Sequence, residues 1–215
     1  MSSELFAQMR QAIVEGEAER AAELAAEAVA TGIDPLAAID EGYVPGLRYV
    51  GEQFSAGEMF LPEMMLAARA MQRAVAVLEP EMARRNSVRA VLGRVVVGTV
   101  AGDIHEIGKN LVAMMLSASG FEVFDLGVDV PFERFVEKAA EVNADIVGVS
   151  ALLTTTMTGQ RNVVAALEGA GLRPRVKVIV GGAPVTRSWA AEIGADGYSE
   201  DAVGAVALAR SLVGA

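Results

Sequence analysis

Over the first 85 positions apolar residues return at helical spacing, with almost no strand-like alternation. Leu5, Met9 and Ile13 stand four apart, an alanine-rich helix follows over residues 17–30, and Thr31-Gly32 ends it. Asp34-Pro35 starts a third helix, because a carboxylate before the first turn accepts unpaired amide protons and proline is tolerated at the first helical position. Pro45-Gly46 is expected to kink or break this helix before Phe54. The fourth helix begins at Phe60-Leu61-Pro62. Its Met64, Ala68, Met71, Val75, Leu78 and Met82 alternate steps of four and three, which lays one apolar stripe along a helix in a four-helix bundle. Glu79-Pro80 through Arg89 reads as a polar exit and linker, with a domain boundary near Asn86.

Beyond that boundary the pattern changes to short apolar strands alternating with helices. Strands are predicted at residues 95–99, 122–125, 146–150 and 176–180, with a short fifth at 196–198, and helices at 109–118, 132–142, 157–170, 187–193 and 201–212. Near-continuous Val/Ile runs separated by helices imply a parallel sheet covered on both faces. The expected architecture is a helical bundle over residues 1–85, then a flavodoxin-like, Rossmann-type α/β domain with a five-stranded parallel sheet over residues 90–215. In such sheets ligands bind at the carboxyl ends of the strands. Those ends read Gly102-Asp103-Ile104-His105, then Leu126-Gly127-Val128-Asp129-Val130-Pro131, then Ser150 through Thr156, then Gly181-Gly182-Ala183.

Composition narrows the chemistry. The 215 residues are 53% hydrophobic, enough for a core without staples. The absence of cysteine excludes disulfides, zinc–thiolate sites, iron–sulfur clusters and thiol catalysis. A net charge of −10 argues against a nucleic-acid surface, and Arg84, Arg85 and Arg89 form the only basic cluster. With no signal-like start at Met1-Ser2-Ser3-Glu4 and no apolar run approaching ~20 residues, a cytoplasmic protein without membrane contact is expected.

The single histidine, His105, lies where a strand gives way to a helix, two residues after Asp103. The glycines there do not form a dinucleotide fingerprint, Lys109 lacks the glycine run of a phosphate loop, and Ser150 stands in no Gly-x-Ser-x-Gly nucleophile elbow. A metal cage normally takes three or four side chains, so one histidine suffices only where a macrocycle supplies the equatorial ligands.

Asp103-x-His105-x-x-Gly108, followed by Ser150-x-Leu152 and Gly181-Gly182, resembles the signature of cobalamin-binding corrinoid proteins and of the cobalamin region of methionine synthase. The segments 126–131 and 198–202 are similar to further family segments, and Phe54-x-x-Gly57-x-x-Phe60-Leu61-Pro62 through Ala68-Arg69-x-Met71 is similar to the family's helical cap. The resemblance implies a corrinoid whose nucleotide tail leaves cobalt and enters the sheet domain while His105 takes the lower axial position. Asp103 then bonds the other ring nitrogen. The family relay continues to a serine, and Thr156 stands there instead; its hydroxyl can make the same bond. By the same resemblance Gly102, Ile104, Glu106, Ile107 and Gly108 border the cofactor. Ser150 and Thr154 line the slot for the tail, Gly181 and Gly182 admit it, and Leu152, Ala183 and Tyr198 also bind the cofactor. Gly108 is expected to let the next helix approach the cofactor closely, and Phe54, Leu61 and Met64 to form an apolar lid over the methyl group.

The implied function is that of a non-catalytic methyl-carrier subunit in one-carbon transfer. A substrate-specific methyltransferase loads cobalt, an acceptor methyltransferase passes the methyl to tetrahydrofolate or another thiol or pterin acceptor, and a reductive activase restores Co(I). Two alternatives share parts of the signature. One is a cobalamin-dependent light sensor or regulator, which usually appends a DNA-binding domain. The other is the cobalamin subunit of a radical mutase, which lacks a Phe-Leu-Pro cap.

Overall fold

A computed structural model describes residues 2–85 and 91–214, so the boundary expected near Asn86 and the basic residue Arg89 lie outside the described residues. The chain divides into two compact units, Met1–Ala90 and Val91–Ala215.

In the first unit α1 (Ser2–Val14) and α2 (Ala18–Ala30) are followed by a short α3 (Pro35–Ala37), a π-helical turn (Ala38–Tyr43), α4 (Val44–Ser55) and α5 (Leu61–Arg84). Asp34 caps α3 by accepting the Ala37 N–H at 3.3 Å. Helix α5 packs along α2, and α1 along α4. Met9, Ile13 and Leu24 are fully buried between them, and of the stripe predicted on α5 Met64, Ala68, Met71, Leu78 and Met82 are buried while Val75 is half-buried. Tyr43 is buried too, its hydroxyl donating to the Ala21 carbonyl at 2.7 Å.

Pro45, expected to kink or break its helix, falls in the first turn of α4, where its missing N–H is not needed. The turn before it is one residue wider, with the Val44 N–H reaching the Ile39 carbonyl, and this makes room for the ring. Gly46 serves packing instead. A β-carbon there would lie 2.6 Å from the Arg10 carbonyl oxygen and 2.9 Å from Ile13 Cβ, so its absence lets α4 close on α1. Gly46→Ala should therefore cost about 1–3 kcal/mol in urea unfolding, whereas Gly169→Ala, whose β-carbon would meet nothing within 4 Å, should cost nothing measurable.

Pro80 lies inside α5 rather than beginning a linker. The helix continues because Pro80 is exposed, so the carbonyl its ring leaves unpaired can meet water. Glu81 then ties the last turn to Arg84 at 2.6 Å and to Arg85 at 2.5 Å. These hydrogen bonds hold the Glu81 carboxyl at a pKa of about 2, and they occupy two arginines of the basic cluster.

The second unit alternates β1 (Arg94–Thr99), α6 (Ile107–Ala118), β2 (Glu122–Asp125), α7 (Phe132–Glu141), β3 (Ile146–Ser150), α8 (Thr158–Gly169), β4 (Lys177–Gly181), α9 (Arg187–Glu192), β5 (Gly197–Tyr198) and α10 (Ala202–Val213). All five strands are parallel in the order β2-β1-β3-β4-β5, which is the flavodoxin-like order. Alternate residues of each strand face opposite layers. Val96, Val147 and Val178 pack with Phe135, Val163, Leu167 and Ala190 of α7, α8 and α9. Val95, Ile146 and Ile179 pack with Leu116 and Ala209 of α6 and α10. The register sets Thr99, Ser150 and Gly181 side by side at the carboxyl edge, which brings the predicted site segments to one place.

Candidate functional site

The loop after β1 is folded back on itself by its own backbone. The Thr99 hydroxyl donates to the His105 carbonyl at 2.9 Å, and the Asp103 N–H donates to the Val100 carbonyl at 3.1 Å. The segment after β2 clamps it from outside. The Asp129 carboxylate accepts the Gly102 N–H at 2.7 Å while the Asp129 N–H donates to the Asp103 carbonyl at 2.9 Å. Asp129 adopts a left-handed φ of 53° to do so, a conformation that aspartate tolerates better than most residues.

This loop drives the Asp103 carboxylate inward, to 1% exposure. Its Oδ1 accepts the His105 N–H at 3.1 Å and lies 2.7 Å from His105 Nδ1. Its Oδ2 accepts the Leu152 N–H at 2.7 Å and the Thr156 hydroxyl at 2.8 Å. Burial pushes the Asp103 pKa up, yet the hydrogen bonds from Leu152, from the His105 ring and backbone, and from Thr156 outweigh it and hold the carboxyl well below the usual carboxylate range. An ionised partner at Nδ1 fixes the imidazole proton on that nitrogen. Nε2, on the opposite side of a ring that is 46% exposed, then keeps its lone pair for a ligand. Asp103, His105 and Thr156 thus meet across 53 residues of sequence.

Thr99, Ser150 and Gly181 lie on the sheet face that α6 and α10 cover, two residues along their strands beyond the row of Val97, Gly148 and Ile179. The row at this edge is made of small residues. Gly182 follows with φ of 127°, and a β-carbon on it would stand 1.9 Å from the Ala151 carbonyl oxygen. Around His105 the rim is apolar and open: Ile104 is 75% and Ile107 69% exposed, with Leu152 and Leu153 also exposed. Glu106, Thr154 and Ala183 are exposed, and Tyr198 is half-buried on β5. At Gly108 a β-carbon would meet nothing within 4 Å, so packing inside the protein does not require glycine there. Phe54 and Leu61 are half-buried and Met64 buried within the first unit.

Several residues escape a reading of the sequence. Lys109 is buried, its ammonium donating to Asn110 Oδ1 at 2.6 Å and to the Asp125 carboxylate, which ties the start of α6 to the end of β2. Thr99, Asp129 and the fully buried Gln160 also act at this edge. Only the strand order brings these residues together; Asp129 alone carries a sequence signal, its place in segment 126–131.

One imidazole nitrogen backed by a buried carboxylate, an apolar shelf beside it and small residues at the strand ends fit a flat macrocycle with a tail, and these features with the fold define a B12-binding protein. Residues 93–207 match a B12 binding domain, and residues 5–79 match a second family model of the same description. The chain is 50% identical over 210 residues to trimethylamine corrinoid protein 1 of Methanosarcina acetivorans, covering 98% of this chain and 97% of that one. A cobalamin-binding protein of Desulfitobacterium hafniense superposes with a TM-score of 0.80 at 35% identity, over 95% of this chain and 96% of that one. A chain of the methanol:cobalamin methyltransferase complex MtaBC of Methanosarcina barkeri matches with a TM-score of 0.87 at 30% identity, over 100% of this chain and 81% of that one. The chain belongs to the B12-binding corrinoid proteins of methyltransferase systems, whose cofactor is cobalamin or a related corrinoid. Among the described residues no helix is long and apolar enough to cross a membrane.

Proposed function

We propose that this protein carries a methyl group between two enzymes on a corrinoid held through His105 Nε2. The observation that carries the reading is the buried Asp103 carboxylate bonded at once to His105 Nδ1, the Leu152 N–H and the Thr156 hydroxyl. When bound, the corrinoid supplies the cobalt that takes up and gives up the methyl group. Asp103 holds the proton on Nδ1 and so leaves Nε2 as the ligand nitrogen. Thr156 and the Leu152 N–H keep that carboxylate ionised and fixed, so the ring is presented in one orientation. The apolar rim of Ile104, Ile107, Leu152 and Leu153 excludes water beneath the macrocycle, and Ser150, Thr154, Gly181, Gly182 and Ala183 border the nucleotide tail.

Residues 1–85 serve as the cap module, and residues 90–215 hold the cofactor. A substrate-specific methyltransferase loads the group, as the methanol complex exemplifies for its own chains. An acceptor methyltransferase unloads it, and a reductive activase repairs oxidised cofactor. Identity of 50% to a trimethylamine corrinoid protein, against 30% to the methanol complex, favours a methylated amine as the donor.

His105→Ala should still bind cobalamin, since tail and rim contacts remain, but with a changed visible spectrum and methyl transfer slowed by about tenfold or more, the range for a lost metal-tuning contact. A bound spectrum identical to that of the unaltered protein would remove His105 from cobalt.

A further inference from the structure

Gln160 is fully buried in α8, on the sheet face opposite to Ser150 and Gly181. Its Nε2 donates to the Val149 carbonyl at 2.9 Å and to the Gly181 carbonyl at 3.1 Å. Its Oε1 accepts the Trp189 indole N–H at 2.9 Å. Two carbonyls on one side and an indole donor on the other admit only one orientation of the amide. Trp189 is steadied in turn by the Arg161 guanidinium, 4.8 Å above its ring, and Arg161 pairs with Glu192 of α9. One side chain therefore joins the last carbonyl of β4 to the next-to-last of β3, where both strands leave the sheet. The Ala151 N–H also donates to Gly181 at 3.2 Å, and Gly182 turns immediately afterwards. A buried amide making three hydrogen bonds to strand ends and to another helix does more than fill space. An apolar side chain of equal size would pack as well and leave both carbonyls without this donor.

We propose that Gln160 is a positioning residue for the slot that receives the nucleotide tail of the corrinoid. By pinning the Val149 and Gly181 carbonyls from behind, it keeps Ser150 and Gly181 in register on the opposite face, where the tail enters. Trp189 locks the amide in the orientation this requires. The inference rests on the reading that the tail is buried in the sheet domain.

The test compares affinities of the full-length apoprotein for cobalamin and for cobinamide, which lacks the nucleotide tail. The unaltered protein should prefer cobalamin. Gln160→Met should lower that preference by about tenfold, the worth of one buried hydrogen bond at a binding edge, through weaker cobalamin binding with cobinamide affinity unchanged. Trp189→Phe, which keeps the glutamine but frees its amide, should shift the preference in the same direction by less, and it carries the test alone should Gln160→Met not fold. An unchanged preference, or an equal loss for both corrinoids, overturns the role of Gln160 and leaves the buried-tail reading standing. Equal affinity of the unaltered protein for the two corrinoids overturns both.

Discussion

Replacing Asp103 with alanine is expected to destabilise the second unit by about 3 kcal/mol, because four donors converging on a site with 1% exposure lose their acceptor together. Asparagine will not repair it. With its amide oxygen toward Leu152 and Thr156, its NH2 faces His105, which forces the ring proton onto Nε2 and blocks that nitrogen as a ligand. With the oxygen toward His105, the NH2 faces the buried Leu152 N–H donor to donor. Asp103→Asn should therefore lose either the ligand nitrogen or stability, and urea unfolding beside the spectrum of bound cobalamin tells which. The pH dependence has a definite sign. Hydrogen bonds hold the Asp103 pKa below its unfolded value of about 3.9, so its contribution is fully present above that value and is lost as pH falls through the folded pKa. Unfolding free energy should drop on acidification below about pH 4, and Asp103→Ala should flatten that fall. A variant as acid-sensitive as the unaltered protein would show that another carboxylate sets the limb.

The sheet was legible because parallel strands buried on both faces must be written in Val and Ile, and 95–99, 146–150 and 176–180 are. His105 stood out as the single imidazole, and Asp103 by its proximity in sequence. Pro80 misled because a proline's effect depends on its position within a helix, and it falls on an exposed face. Gly46 was invisible as a packing residue, since only the approach of Arg10 and Ile13 reveals why it has no side chain. Gln160, Thr99 and Asp129 were missed for another reason. They act on backbone atoms up to 27 positions away, and no local pattern marks a side chain whose partner is a carbonyl or amide on another strand. The chemistry-bearing atoms were readable, and the groups that hold them were not.

Gly181 and Gly182 separate the demands of folding from those of the ligand. At Gly182 a β-carbon would lie 1.9 Å from the Ala151 oxygen and 2.7 Å from its carbonyl carbon, both backbone atoms that no rotamer change can move aside. The φ of 127° adds strain for any other residue. Gly182→Ala should lose about 3 kcal/mol or more, by overpacking and backbone strain together, with cobalamin binding falling as the β4 end is displaced. At Gly181 the nearest contact would be the Ser199 carbonyl oxygen at 3.3 Å, which a shift of a few tenths of an ångström relieves. Gly181→Ala should therefore fold with near-normal stability yet bind cobalamin poorly, because its methyl group occupies the row beside Ser150 while cobinamide, having no tail to seat, still binds. Urea midpoints and corrinoid titrations of the two variants check the contrast. A stable Gly182→Ala protein would mean that the turn after β4 is looser than its geometry requires, and unaltered cobalamin binding by Gly181→Ala would place the tail away from this edge of the sheet.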